Sequence, residues 1–281
     1  MQLSKDKPVI IAGPCAAESY DLMDMVAENL VKLSNELGFH YVFKASFDKA
    51  NRTSALTQRG PGFDQAMEWF ERIKNKYQVQ ALTDVHETYQ VKPVSEVCDW
   101  IQIPAFLCRQ TDLVVEAAAR GTFINIKKGQ FLAPNAMKHI ADKAKTAAAK
   151  EGRHSNVYVT ERGVTFGYGN LVVDMRSFPI ISNAGYPVIL DITHSTQLPQ
   201  GAGDGSSSGG ERKYAPVLAR AAAATGYLSG FFLEVHKDPA KAISDKDAQL
   251  NIDQGAALLR QLIPLWKSAR EFNKIDSLFA T

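Results

Sequence analysis

Cysteine is scarce: Cys15, Cys98 and Cys108 are the only three, an odd number with no C-x-x-C pair. That argues against a disulfide framework and for a reducing compartment, the cytoplasm. Long apolar runs are missing too, none approaching the roughly 18 residues of a membrane-spanning helix. The opening MQLSKDKPVIIAGPC lacks the pattern of a cleaved secretory signal. Charge excess is absent: 32 Lys+Arg against 30 Asp+Glu leave a formal net charge of +2. So balanced a chain has no global field with which to hold nucleic acid or an anionic membrane surface. No repeat, charge block or shift in composition marks an internal boundary, so residues 1–281 read as one domain.

What the chain does contain is eight short, β-branched apolar runs: 8–15, 41–46, 81–86, 100–104, 123–128, 157–162, 187–194 and 230–236. Buried parallel strands read as near-continuous apolar runs because both faces are covered. Eight of them with helical patterns between predict an α/β fold, a (β/α)8 TIM barrel, whose chemistry sits at the strand carboxyl ends. Each run does end on polar or charged residues. Helical periodicity places helices near 21–37, 64–77, 87–97, 109–120, 134–150, 211–227 and 249–273. Pro264 should kink or break the last of these, and a short helix is expected near 170–182. Two long connections stand out, 47–62 and 195–210. The second, STQLPQGAGDGSSSGG, is nearly all small and polar and reads as a lid over substrate.

Cys15, His194 and Glu234 close the first, seventh and eighth runs, which are neighbours in a closed barrel, and Asp245 follows soon after the eighth. Thiolate, imidazole and two carboxylates form a mixed donor set suited to zinc, iron, manganese or cobalt. Taken singly, each has a duller reading, Cys15 as a small buried hydrophobe above all. Cys98 and Cys108 lie remote from this set and read as structural.

The same rim gathers Lys44, Lys49, Arg52, Arg109, Lys127, Lys128 and Arg162. Cations crowded without counter-charge disfavour one another, so the cluster points to substrates bearing phosphate and carboxylate groups. Pairing with Asp48, Asp84, Glu161 or Asp112 would account for only part of it. Lys44 and Lys127 also leave a Schiff-base lysine open.

The motifs IAGPCAAES (11–19), YVFKASFDKANRTS (41–54), RGPG (59–62), TDVHE (83–87), IQIPAFLCRQTDL (101–113), IKKGQFLAP (126–134), TERGVTFGYGNLVVDMRS (160–177), DITHSTQLP (191–199) and FFLEVHKDP (231–239) run in order through the chain. Together they resemble the 3-deoxy-D-manno-octulosonate 8-phosphate synthases. The resemblance implies condensation of phosphoenolpyruvate with arabinose 5-phosphate and water, on the route to lipopolysaccharide. Cousins that make the shikimate precursor use erythrose 4-phosphate, and Asn51 in KANRT separates the two groups. Thr53 departs from the usual serine but keeps the hydroxyl.

Cys15 replaces the asparagine of metal-independent members, and SDKDAQL (244–250) matches the metal-dependent branch. One divalent ion on Cys15, His194, Glu234 and Asp245 is thereby implied. By the same matching Lys49, Arg109, Lys127 and Arg162 bind phosphoenolpyruvate, with Lys44, Ser46 and Gln102 nearby. Asn51, Arg52 and Thr53 hold the sugar phosphate. His194 would also lie near the enol, and Asp84 and His86 are candidates for proton transfer or positioning. His236 reads as solvated or as a neighbour of the ligands. The family implies a homotetramer, with Arg109 in a site shared across subunits. A non-catalytic sugar-phosphate sensor is the reading from another class, and no rim residue is missing in the way that it would require.

Overall fold

The computed structural model describes residues 3–50, 58–165, 169–199 and 209–279. Eight parallel strands close into a ring: β1 Val9–Gly13, β2 His40–Lys44, β3 Gln80–Asp84, β4 Trp100–Ile103, β5 Phe123–Lys127, β6 Asn156–Glu161, β7 Val188–Asp191 and β8 Leu228–His236. Strand β8 pairs with β1 from Val9↔Gly230 to Gly13↔Glu234, which seals the ring. Each strand is followed by a helix: α1 Tyr20–Leu37, α2 Phe63–Tyr77, α3 Thr88–Val97, α4 Thr111–Arg120, α5 Ala136–Lys150, α6 Ser177–Asn183, α7 Ala215–Ala224 and α8 Ile252–Ala269. The chain forms a (β/α)8 barrel. Among the described residues, no helix is long and apolar enough to cross a membrane.

Local chemistry sets the helix ends. The Ser19 hydroxyl accepts from the Leu22 amide at 3.2 Å and starts α1, and Gly38 in the left-handed region (φ 72°) stops it. Helix α8 starts on a reciprocal cap between Asn251 and Gln254. It then runs through Pro264 without the break that is one of the two expected outcomes. An interior proline costs about 3 kcal/mol. Here Leu258, Leu259, Leu262, Ile263 and Trp266, all buried on one face, hold the helix against the barrel and offset that cost.

Three other expectations shift. Helix α6 begins at Ser177 rather than near 170, because a small antiparallel pair, Val164–Thr165 with Leu171–Val172, takes up the preceding chain. Strand β7 ends at Asp191, so His194 stands in a 3-10 turn, His194–Thr196. Within the connection read as a lid, Gln197–Leu198 pairs with Gly209–Gly210, and residues 200–208 lie outside the described residues.

Alternation along the strands divides the barrel interior into two layers. Val9, Ile11, Val42, Leu82, Trp100, Phe123, Tyr158, Ile189 and Phe232 make an apolar layer, with Trp100 stacked on Phe123 at 4.6 Å between ring centroids. Two residues further along the same strands come Lys44, Asp84, Gln102, Asn125, Thr160, Asp191 and Glu234, all buried. The polar layer is thus the next inward tier above an apolar plug. The other faces of the strands pack on the helices through a second, larger core.

The closing seam β1–β8 is tight at Gly230, where any Cβ would drive into the Val9 carbonyl. Gly230→Ala is expected to cost about 3 kcal/mol or more. The check is a lower urea midpoint with an unchanged slope.

Candidate active site

Cys15 sits just past β1, fully buried, and its backbone is held from three sides. Its amide donates to Gln249 Oε1 (3.3 Å), while its carbonyl accepts from the Ser46 amide (3.2 Å) and from Lys44 Nζ (3.0 Å). Gln249 also donates to the Ser244 carbonyl at 2.8 Å, and so ties the segment after β8 to the end of β1. Asp245 in that segment is left-handed (φ 50°), a conformation that aspartate tolerates better than most residues. This brings its carboxylate to the thiol: Cys15 Sγ donates to Asp245 Oδ2 at 3.1 Å, and Gln197 Nε2 donates to Oδ1 at 2.6 Å.

Ligand atoms of Cys15, Glu234 and Asp245 all lie within 4.8 Å of one another. His194 stands beside them, its Nε2 3.7 Å from Glu234 and 3.9 Å from Asp245. Its Nδ1 faces Asp191 at 2.8 Å, an arrangement that fixes the ring and directs Nε2 toward the cluster. Burial pushes the Cys15 thiol well above its ordinary range, and the Glu234 carboxylate adds to the rise. Burial also opposes the charge of Glu234, but Lys44, then His194 and Lys49, outweigh it and bring its pKa down to about 2. A divalent cation among these atoms would reverse the situation of the thiol, since a coordinating thiol is deprotonated. Glu234 Oε2 is buried with no hydrogen-bond partner among the described residues. A free carboxylate oxygen beside a buried thiol, an imidazole and a second carboxylate fits a divalent ion of the zinc, iron, manganese or cobalt class.

The cations form a well against this cluster. Lys44 donates to Glu234 at 2.6 Å, Lys127 pairs with Asp191, and Lys128 stands 3.4 Å from Glu161. Lys127 also caps the Phe232 ring at 3.3 Å. Burial brings the Lys127 pKa down to about 8, with Asp191 resisting. Lys49 Nζ donates to Ser46 Oγ at 3.0 Å. Burial opposes the Lys49 charge, but Cys15, Glu234, Asp84 and Asp245 outweigh it and raise its pKa. The Arg162 guanidinium donates to Gln197 Oε1, and Glu161 accepts from the amides of Arg162 (2.9 Å) and Gly163 (2.7 Å). Gln102 accepts from Asn125, which in turn accepts from Thr160. His86 Nε2 lies 3.0 Å from Asp84 at the edge of the well.

The structure therefore gathers Cys15, Lys44, Ser46, Lys49, Asp84, His86, Gln102, Lys127, Arg162, His194, Glu234 and Asp245 at one mouth. Arg109 is exposed on the turn after β4 and joins none of the buried pairs. Asn51, Arg52 and Thr53 lie outside the described residues. His236 is not solvated: it is buried, accepts from the Asp238 amide at 2.9 Å and stands 3.7 Å from Glu18. Cys98 and Cys108 are buried too, apart from the cluster. Sequence reading passed over Asp191, which serves Lys127 and His194 at once. Its signal was phase, since it lies two residues beyond Ile189 on the inward face of β7.

A cation-lined barrel mouth beside a thiol–carboxylate cluster defines an enzyme-like (β/α)8 barrel suited to anionic substrates. A profile of the DAHP synthetase I family matches residues 2–270, and the chain belongs to that family. It is 50% identical over 263 residues to the "2-dehydro-3-deoxyphosphooctonate aldolase" of Geotalea daltonii, covering 93% of this chain and 94% of that one. Proteins of the same name from Nitratidesulfovibrio vulgaris (strain DP4; 49%, covering 92% and 91%) and Albidiferax ferrireducens (47%, covering 96% and 94%) are similarly close.

The Asp84–His86 pair has a pH signature. Burial opposes the charge on His86, but the hydrogen bond and charge of Asp84 prevail and raise its pKa. Burial likewise opposes the charge of Asp84, but His86, then Lys49, hold its carboxyl far below the usual range. The His86 contribution to stability is thus complete below its unfolded pKa of about 6.5 and is lost as pH rises through the higher folded value. His86→Gln should therefore lower the urea midpoint more at about pH 6 than at about pH 9. An equal loss at both would exclude a charged pair.

Proposed function

We propose that this chain condenses phosphoenolpyruvate with D-arabinose 5-phosphate and water, giving 3-deoxy-D-manno-octulosonate 8-phosphate and inorganic phosphate. The reading is carried by a buried cation well at the carboxyl end of the barrel in a chain half identical, over nearly its whole length, to proteins named for that product. The catalytic unit is the single barrel of residues 1–281, working in the cytoplasm as a homotetramer in which the exposed Arg109 serves a site shared between subunits.

In the reaction, C3 of phosphoenolpyruvate forms a bond to the aldehyde carbon while a water oxygen adds to C2. One proton of that water goes to the former aldehyde oxygen. The other leaves with phosphate as the C2 carbonyl forms. Lys49, Arg109, Lys127 and Arg162 hold the phosphate and carboxylate of phosphoenolpyruvate, with Lys44, Ser46 and Gln102 beside them. Asn51, Arg52 and Thr53 hold the sugar phosphate. Two multiply charged anions repel, and fixed cations in a low-dielectric mouth hold them at attack distance. Phe232 and Asp191 fix Lys127 in place, so that its ammonium is already oriented before substrate arrives. Asp84 and His86 position or relay protons at the sugar side.

Cys15, His194, Glu234 and Asp245 would hold one divalent ion, the arrangement expected of the metal-dependent branch. When bound, that ion supplies Lewis acidity and a charge that orients oxygen ligands. Asp191 keeps His194 turned toward it.

The deciding assay follows phosphate release from the two substrates before and after exhaustive chelation, with single divalent metals restored. Loss and recovery support the assignment, and activity that survives chelation demotes Cys15 to a bystander. Cys15→Ala should lower metal-supported kcat/KM by about a hundredfold or more without unfolding the barrel, whereas Cys15→Asn should retain metal-free turnover. Arg52→Ala should raise KM for the sugar phosphate far more than for phosphoenolpyruvate. Equal increases would mean that the two anion sites are wrongly divided. The family match also admits the shikimate-precursor reaction, which activity with erythrose 4-phosphate in preference to arabinose 5-phosphate would reveal. A borohydride-stable adduct on Lys127 would instead indicate Schiff-base chemistry.

A further inference from the structure

A cavity of about 610 Å³ opens at the amino-terminal end of the barrel, opposite the substrate mouth. Along β6 its lining reaches Tyr158, and Arg162 at the other face is four residues further on, about 13 Å at the rise of an extended strand. The two sites are therefore separate. The size is that of a small-molecule pocket.

Its lining is one-sided in charge. Lys5, Lys7, Lys145, Arg270 and His154 contribute, and among the described residues no aspartate or glutamate does. At the substrate mouth each buried lysine of the inner tier has a carboxylate at hand, as in Lys44–Glu234 and Lys127–Asp191. Two carboxylates nearby are already engaged: Asp142 takes the Tyr186 hydroxyl, pairs with Lys138 at 2.5 Å and draws on only part of the Lys145 charge, and Asp276 takes the Tyr227 hydroxyl at 2.7 Å. Arg270 is held in place, donating to the Lys5 carbonyl at 2.7 Å and lying 4.8 Å from the Trp266 ring. Lys145 lies 4.1 Å from the Tyr186 ring.

A second observation concerns the cavity wall. Ser155 lines the cavity, is 2% exposed, and its hydroxyl has no hydrogen-bond partner among the described residues. Buried hydroxyls without partners are uncommon and costly. A spare hydroxyl sealed in the wall of a cation-rimmed cavity is a donor that a phosphate or carboxylate oxygen could satisfy once a small shift of the wall admits it.

We propose that this amino-terminal cavity is a second binding site, for a small anion bearing a phosphate or carboxylate group, with Arg270 and Lys145 as its charged contacts and Ser155 as its neutral donor. Tyr158, Trp266, Tyr186 and Tyr227 supply aromatic walls for the body of such a ligand. The site is independent of the reaction assigned to the other face.

The test titrates the full-length protein with sulfate in one arm and succinate in the other, at constant ionic strength, following tryptophan fluorescence because Trp266 forms part of the wall. Saturable binding is expected in at least one arm, which identifies the preferred head group. Arg270→Ala and Lys145→Ala should each weaken it by about tenfold, the worth of one charge-assisted hydrogen bond. Ser155→Ala should weaken it less. All three variants should keep the thermal midpoint and the turnover of the wild type. No saturable binding in either arm overturns the proposal. So does binding that the three variants leave unchanged, because the anion would then be held at the substrate mouth.

Discussion

Buried positive charge is the constraint on which the barrel mouth depends. Lys44, Lys127 and Lys128 are all but inaccessible to water, and an ammonium group so placed costs several kcal/mol unless it is paired. Each faces a carboxylate from another strand: Glu234, Asp191 and Glu161. Lys44 and Glu234 come from β2 and β8, on either side of β1. Closing the ring and compensating its charge are consequently a single event.

The same carboxylates serve the neighbouring cluster. Glu234 holds Lys44 and faces Cys15 and His194, while Asp191 holds Lys127 and steers His194. The cationic well and the thiol–carboxylate group therefore form one electrostatic unit. A change of charge on either side is felt by the other through two shared acids in a medium of low dielectric constant. Phe232 underlies the unit, with Lys127, Lys44 and His194 all ranged around its ring.

Much of this was legible in the sequence because a barrel strand exposes its chemistry at one end. Eight apolar runs located the strands, and the residues that close them, from Lys44 to Glu234, meet as expected. Asp191 was overlooked because His194, three residues later, was taken as the end of its run. The strand stops at Asp191 and the histidine rides on a turn. Gln249 was equally invisible, since its role depends on the path of an irregular segment that carries no periodic signal. At Pro264 the helix continues without a break, the local cost of the proline being offset by the tertiary packing of Leu262, Ile263 and Trp266. The lone charges of the amino-terminal cavity left no pattern in sequence, because Lys5, Lys145 and Arg270 converge only when β6, β7 and β8 stand side by side.

The hydrogen bond from Cys15 to Asp245 spans 230 residues, and that from Cys15 to Gln249 spans 234. On the ribosome, the thiol emerges first and its partners nearly last. Its burial against Asp245 and Gln249 has to wait until β8 docks and the segment beyond it folds over. The thiol–carboxylate cluster is thus completed only near the end of chain growth, as a consequence of topology rather than of local sequence.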